Sequence, residues 1–315
     1  MTRTAVIVGA GPIGAQVADL LADRGDRVVV VTRSGRGPAR AGIERVPLDA
    51  SDPAALTGVV TGAETLFNCA NPTDYTAWER VWPPLAESLL QAAERTGATL
   101  VTASCLYPYG PTDGPMVEGQ PDLATDHKGR LRAAMWARAL DRHRAGRIRA
   151  VEVRAADYVG PGVGANGHIT RQLPTALRGR AAWMVGRVDL PHTWTDILDM
   201  ARTLVAVADR PDTWGQVWHA PSNEPRSQRQ VLTDVLAAAG REPVPVRGIP
   251  VPALRAAGLF SPMMREVAEL SYMFTRPYVM DSARSGAALG LAPTAWEQVC
   301  RRTAAGVERA APAGR

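Results

Sequence analysis

The stretch that most constrains the fold is AVIVGAGPIGAQVADLL, Ala5 to Leu21, where an apolar run stops at Gly9 and resumes at helical spacing from Ile13. That pattern reads as strand, glycine turn and helix. Gly9, Gly11 and Gly14 stand at the G-x-G-x-x-G spacing. The first glycine makes the tight turn, the second lets a pyrophosphate approach the backbone, and the third lets helix and strand pack closely. Pro12 opens the helix and Ile13 begins its buried face, so free N–H groups and the positive dipole end point at a phosphate. A glycine triplet alone means little among 29 glycines, but a strand before it and a helix after it make a dinucleotide site.

The next strand, RVVVVTR, is apolar and β-branched throughout, as expected of a parallel strand buried on both faces. Its end selects the cofactor. An acid about 20 residues past the glycines holds a ribose 2′-hydroxyl, whereas an arginine meets a 2′-phosphate. Here Thr32, Arg33 and Ser34 lead into a loop with Arg36 and Arg40 and no acid, which predicts NADP in preference to NAD. Asp49 and Ala50 follow the third strand, where Asp49 is placed to accept from the adenine amino group and Asp52 to cap the next helix. Cys69, Ala70 and Asn71 end a fourth strand with small residues that a cofactor can pass.

Strand and helix alternate up to Gly162, predicting a Rossmann-type, doubly wound parallel sheet with a smaller, mostly helical lobe. We assign residues 1–165 to the dinucleotide-binding domain, with 188–220 returning to it, and 166–315 to a substrate lobe. Pro83 and Pro84 predict a break in the helix that starts near Thr76. RIRAVEVRAADYVGPG is read as one sixth strand. At 315 residues, 46% hydrophobic and 21% charged, the chain has ample core.

The net charge of +5 comes from arginines scattered without blocks, which argues against a nucleic-acid surface. No apolar run approaches the roughly 20 residues of a membrane span, and no leader pattern precedes the first strand, so the expected location is the cytoplasm. Cys69, Cys105 and Cys300 have no metal-ligand spacing, and neither a disulfide framework nor a metal is expected. Among 36 basic side chains only Lys128 is a lysine. That predicts a position where a compact ammonium serves and a planar guanidinium does not.

With these residues in view, the chain resembles the extended branch of the short-chain dehydrogenase/reductase superfamily, the NAD-dependent epimerase/dehydratase group. The motifs are VGAGPIG, DASD, SCLYPYGP, HKGR, VRAADYVGPG, PHTWTDILDMA and VWHAPSNEPRS, covering nearly the whole length. The resemblance implies a Ser or Thr on the substrate oxygen and a Tyr-x-x-x-Lys pair. Lys128 matches the lysine, but Ala124 stands at the tyrosine position and Cys105, beside Ser104, at the Ser/Thr position. It also implies cofactor contacts at Cys69, Ala70, Lys128 and, after the sixth strand, Ala155 and Ala156.

Tyr107 is the substitute proton carrier in this reading, activated by Lys128, since a phenol titrating near 10 acts as a base at neutral pH only beside a cation. Tyr75 and Trp78, Asn166, His168 and Arg171, and His192 and Trp194 are the candidate substrate residues. Their aromatic character points to a small, fairly apolar metabolite. The leading expectation is an NADP(H)-dependent oxidoreductase acting on a carbonyl or hydroxyl. The alternatives are a non-redox epimerase, dehydratase or cyclase on the same fold, and a dinucleotide-sensing regulator. The two-faced helix over 128–146 predicts a homodimer.

Overall fold

The β-branched runs form the centre of the molecule. In the computed structural model, which describes residues 2–310, seven parallel strands make one sheet. They are β1 (Thr4–Val8), β2 (Arg27–Thr32), β3 (Ile43–Pro47), β4 (Thr65–Asn68), β5 (Thr99–Cys105), β6 (Arg149–Ala155) and, later in the chain, Val217–His219. Their order from edge to edge is β3, β2, β1, β4, β5, β6 and then Val217–His219. Val28 to Val31 and Val6 to Val8 are buried on both faces, as a sheet covered on both sides requires.

Helix α1 (Pro12–Asp23) covers one face. On the other lie α2 (Pro53–Val60), α3 (Trp78–Thr96) and α4 (His127–Arg144). Asp52 caps α2 by accepting from the N–H groups of Ala54 and Ala55. The break expected at Pro83 and Pro84 does not occur: α3 is one helix containing both prolines. The N–H groups they lack would have met the carbonyls of Glu79 and Arg80, two exposed residues whose carbonyls water can satisfy. Trp78, Trp82, Leu85 and Leu89 bury the opposite face.

The single strand expected over 147–162 is divided. β6 ends at Ala155, and β7 (Asp157–Val159) leaves the sheet to pair with β9 (Trp194–Asp196), after the Ala156 N–H donates to Thr195 Oγ1 at 3.2 Å. Between them lie the short α5 (Leu173–Ala176) and β8 (Ala182–Val185). After β9, α6 (Ile197–Ala208) packs on α1, and β10 is the seventh sheet strand, Val217–His219.

The remaining elements are α7 (Gln228–Ala238), β11 (Val246–Ile249), α8 (Val251–Gly258), α9 (Pro262–Glu269), α10 (Ala283–Leu289) and α11 (Trp296–Ala310). β11 pairs with β8, over a core shared with α5, α7 and α11. A second small core joins Leu254, Leu270, Met273, Phe274 and Tyr278 to Leu106 and Tyr109, carrying α8 and α9 to the C-terminal end of β5. No described helix is long and apolar enough to cross a membrane. Residues 311–315 of the expected lobe lie outside the described residues.

Candidate active site

The central strands are buried to their C-terminal ends, and half-buried residues cluster at and just past those ends, where a parallel sheet of this kind takes its ligand. Ala10, Ile13, Ala70, Ala103, Cys105, Tyr107, Asp157 and Tyr158 line this trough. At its head is the glycine turn, where each glycine has a distinct environment. Gly9 has φ +99°, and a Cβ there would lie 2.8 Å from backbone atoms of Cys69 and Ala70. A Cβ on Gly14 would lie 2.0 Å from the Gly9 carbonyl oxygen. Gly11 has nothing within 4 Å. It is also the N-cap of α1, with no side chain capping the N–H groups behind Pro12. An open approach to uncapped helix amides is what a pyrophosphate needs, so the residues present fit a dinucleotide.

At the end of β2, Thr32 Oγ1 donates to the Arg36 carbonyl at 2.8 Å and closes the loop. Arg33, Ser34 and Arg36 are exposed, and neither arginine forms an ion pair among the described residues. Arg40, counted with them from the sequence, is turned onto α1, 2.7 Å from Asp23 and 3.6 Å from Asp19. Asp49 is exposed beside the buried Ala50, and the Ser51 N–H and hydroxyl hold its carboxyl below the ordinary value. Cys69 is buried at the end of β4, its thiol pushed up to about 12 by desolvation. Asn71 is exposed beyond it, and Ala155, the last residue of β6, and Ala156 are buried.

The proton carriers expected at β5 are rearranged. Neighbouring strand residues point to opposite faces. Cys105 faces the trough, and the Ser104 hydroxyl accepts from Arg132 at 3.0 Å, beneath Trp82. Ser104 is buried and engaged with Arg132, apart from the half-buried Cys105. Desolvation raises the Cys105 thiol. The Tyr107 hydroxyl lies 3.0 Å from that of Tyr75, and its ring stacks on Trp78 at 6.2 Å. Trp78 itself is buried, its indole N–H donating to the Pro72 carbonyl.

The pairing of Lys128 with Tyr107 is not formed. Lys128 is fully buried, its ammonium bonded to Glu266 and, at 2.8 Å, to Glu269 on α9, and its Nζ lies 5.6 Å from the Tyr75 ring centre. A buried ammonium requires anions, and two glutamates three residues apart on one helix face supply them. Desolvation works against the Glu269 charge, yet bonds from Lys128 and His127 outweigh it and hold this carboxyl below its usual range. His127 Nδ1 lies 2.6 Å from Glu269. His127, Glu266 and Glu269 bring ligand atoms within 4.8 Å of one another, but the ammonium already occupies the place of a cation. With no cation beside it, Tyr107 is pushed well above its ordinary value by desolvation first and the neighbouring Tyr75 and Cys105 next. A cavity of about 780 Å³ opens at His127, Glu266, Glu269 and Tyr272; no residue of the glycine turn or of β5 lines it.

The two candidate histidines converge across the trough. His192 Nε2 lies 2.7 Å from Asp157 Oδ2, and its ring packs between Trp194 at 4.4 Å and Phe274 at 5.2 Å. His168 stacks on Phe274 at 3.9 Å. Gln228 donates through Nε2 to the carbonyls of Val185 and Arg187, so its Oε1 accepts, and the His168 proton sits on Nε2, 2.7 Å away. Desolvation lowers the His168 imidazole to about 4. Trp194 is buried, with its N–H on the Arg226 carbonyl, and Asn166 is exposed on a single 3-10 turn. Sequence reading missed Asp157, Phe274, Tyr278, Glu266 and Glu269. Asp157 stood in a motif already singled out; the lobe residues carried no local signal.

Among solved structures, MoeE5 in complex with UDP-glucose and NAD superimposes with a TM-score of 0.80 at 20% identity, covering 98% of this chain and 100% of the other. The UDP-glucose 4-epimerase of Thermotoga maritima with UDP-glucose gives 0.81 at 16%, covering 98% and 100%. The dTDP-glucose 4,6-dehydratase of Bacillus anthracis in complex with NAD gives 0.80 at 15%, covering 98% and 97%. No curated protein sequence is a significant match. The model of the NAD dependent epimerase/dehydratase family matches residues 5–219, more than half of the chain, and the protein belongs to that family of NAD(P)-dependent enzymes.

Proposed function

We propose that the protein is an NADP(H)-dependent oxidoreductase acting on a carbonyl or hydroxyl of a small, fairly apolar metabolite, working best as a reductase. The observation that carries this reading is the neutral Tyr107 phenol at the end of β5, 3.0 Å from Tyr75 and without a cation beside it. A phenol held above its normal range is a poor base and keeps its proton. In that state it can donate to a carbonyl oxygen as negative charge develops there. The bound nicotinamide supplies or accepts a hydride. Gly9, Gly11, Pro12, Ile13 and Gly14 would hold the pyrophosphate, and Arg33 and Arg36 the 2′-phosphate. Cys69, Ala70, Ala155 and Ala156 would flank the path of the dinucleotide. Tyr75 orients the Tyr107 hydroxyl, and the Tyr75, Trp78, Tyr107 and Phe274 rings keep water from it. Pairing of two copies through α4, where Leu131, Met135 and Leu140 stay half-buried in the single chain, belongs to this proposal and is tested by mass in solution.

The test follows NADPH absorbance with a panel of aldehydes and ketones. Consumption is expected, and Tyr107→Phe should abolish it while leaving NADPH affinity unchanged. Full turnover by Tyr107→Phe would remove the acid role. Substrate conversion with constant nicotinamide absorbance would reject net oxidoreduction in favour of a redox-neutral reaction on the same fold.

A further inference from the structure

Most buried carboxylates among the described residues are paired with permanent cations, the exception being Asp126, which caps α4 by accepting from the Gly129 N–H. Asp26 bonds Arg24, Glu152 lies 2.8 Å from Arg154, Asp196 lies 3.0 Å from Arg302, and Asp199 lies 3.2 Å from Arg202. Asp157 departs from this. Its Oδ2 accepts from the His192 Nε2–H, and Oδ1 takes no hydrogen bond from any described residue. It has no arginine or lysine partner within ion-pair distance, and Arg171 acts only from farther off. The side chain is 19% exposed, at the edge of the trough rather than sealed in the core. Desolvation opposes its charge, but the His192 bond and the charges of His168 and Arg171 hold its carboxyl below the ordinary value.

The surroundings of Asp157 are aromatic. Its negative charge adds to desolvation in holding the Tyr75, Tyr107, Tyr158 and Tyr278 phenols above their ordinary value, and His192 connects it to Phe274 and Trp194. A carboxylate with a depressed titration is a weak base, which counts against a proton-abstracting role. It is an ion-pair acceptor whose partial burial strengthens charge attraction, and ring faces add attraction for a cation. The same charge repels a diphosphate.

We propose that Asp157, held in place by His192, is the specificity residue of the pocket and takes the protonated nitrogen of an amine-bearing substrate. This rests on the trough being the substrate pocket of the proposed reductase, and it narrows the apolar metabolite to one with a basic nitrogen close to an aromatic or aliphatic body. A second source of the same chemistry is the cationic ring of the oxidised nicotinamide.

Three probes separate these sources: benzylamine, benzyl alcohol and NADP⁺, each titrated into the full chain by calorimetry. Benzylamine should bind at least about tenfold more tightly than benzyl alcohol. Asp157→Asn should erase that preference with little effect on NADP⁺, and Asp157→Glu, which keeps the charge, should preserve part of it. Equal affinity for the two probes in the wild-type protein overturns the proposal without any need for a variant. Loss of NADP⁺ affinity in Asp157→Asn with the amine preference intact overturns it as well, and assigns the carboxylate to the cofactor. The titrations require no turnover. Failure here leaves NADPH-dependent reduction standing, and failure of reduction leaves the amine preference standing.

Discussion

The glycine turn allows stability and binding to be separated by single methyl groups. Gly11 has an ordinary φ of −67° and empty space around it, so Gly11→Ala meets no atom within 4 Å. Replacing a glycine N-cap costs a few tenths of a kcal/mol up to about 1, while restricting the unfolded chain returns about 0.4–1. The net change is roughly 0.5 kcal/mol or less, about 1 °C in Tm for a chain of this size. The new methyl nevertheless fills the approach that a pyrophosphate needs. Loss of one or two charge-assisted hydrogen bonds, about 1.5–3 kcal/mol each, weakens NADPH roughly 10- to 100-fold or more. Gly14→Ala behaves in the opposite way. Its methyl would meet the Gly9 oxygen at 2.0 Å, forcing the helix off the strand at a cost of about 1–3 kcal/mol, or roughly 2–5 °C. Calorimetric melting and NADPH titration of both variants provide the assay. A Gly11→Ala protein that binds NADPH like wild type refutes the pyrophosphate path; one that melts as early as Gly14→Ala refutes the open environment.

Arg33→Ala with Arg36→Ala should raise the Kd for NADP by roughly tenfold and leave NAD unchanged, as a lost pair of 2′-phosphate contacts requires. Arg40→Ala, occupied with Asp19 and Asp23, should change neither; equal losses across all three arginines would reject the assignment. His168 titrates near 6.5 when unfolded and about 4 when folded, so the unfolded chain binds the extra proton between those values. Stability is therefore retained above pH 6.5 and lost as pH falls from 6.5 to about 4, by about 3 kcal/mol in total. His168→Gln keeps a donor for Gln228 and should flatten that part of the denaturation-versus-pH curve. A parallel curve would show that the drop arises elsewhere, His219 being the other buried imidazole lowered by desolvation.

The sheet was legible in the sequence because parallel strands are continuous apolar runs and glycine turns have fixed spacing. The Asp52 cap and the buried face of α3 are local or periodic features of the same kind. Two local rules failed for identifiable reasons. Pro83 and Pro84 do not break α3 because the carbonyls they leave free are at the surface, and β7 departs from β6 because the Ala156 amide finds Thr195, 39 residues away. The candidate site was half legible. Tyr75, Tyr107, His168 and His192 were chosen individually, and the structure brings them near Asp157. Their partners Phe274, Tyr278, Glu266 and Glu269 come from the lobe, where composition carries no sign of what they face. The sequence marked Lys128 as unusual, but its anions are 138 and 141 residues away and the assumed partner was the nearer tyrosine.

Because Lys128 is both the one lysine of the chain and fully enclosed, the folded protein offers an amine-reactive reagent no ε-amino group at its surface. Labelling at that position must wait for α9 to swing its glutamates away. The rate of acylation at a single nitrogen thus becomes a clock for the opening of the lobe, readable by mass spectrometry without any added reporter.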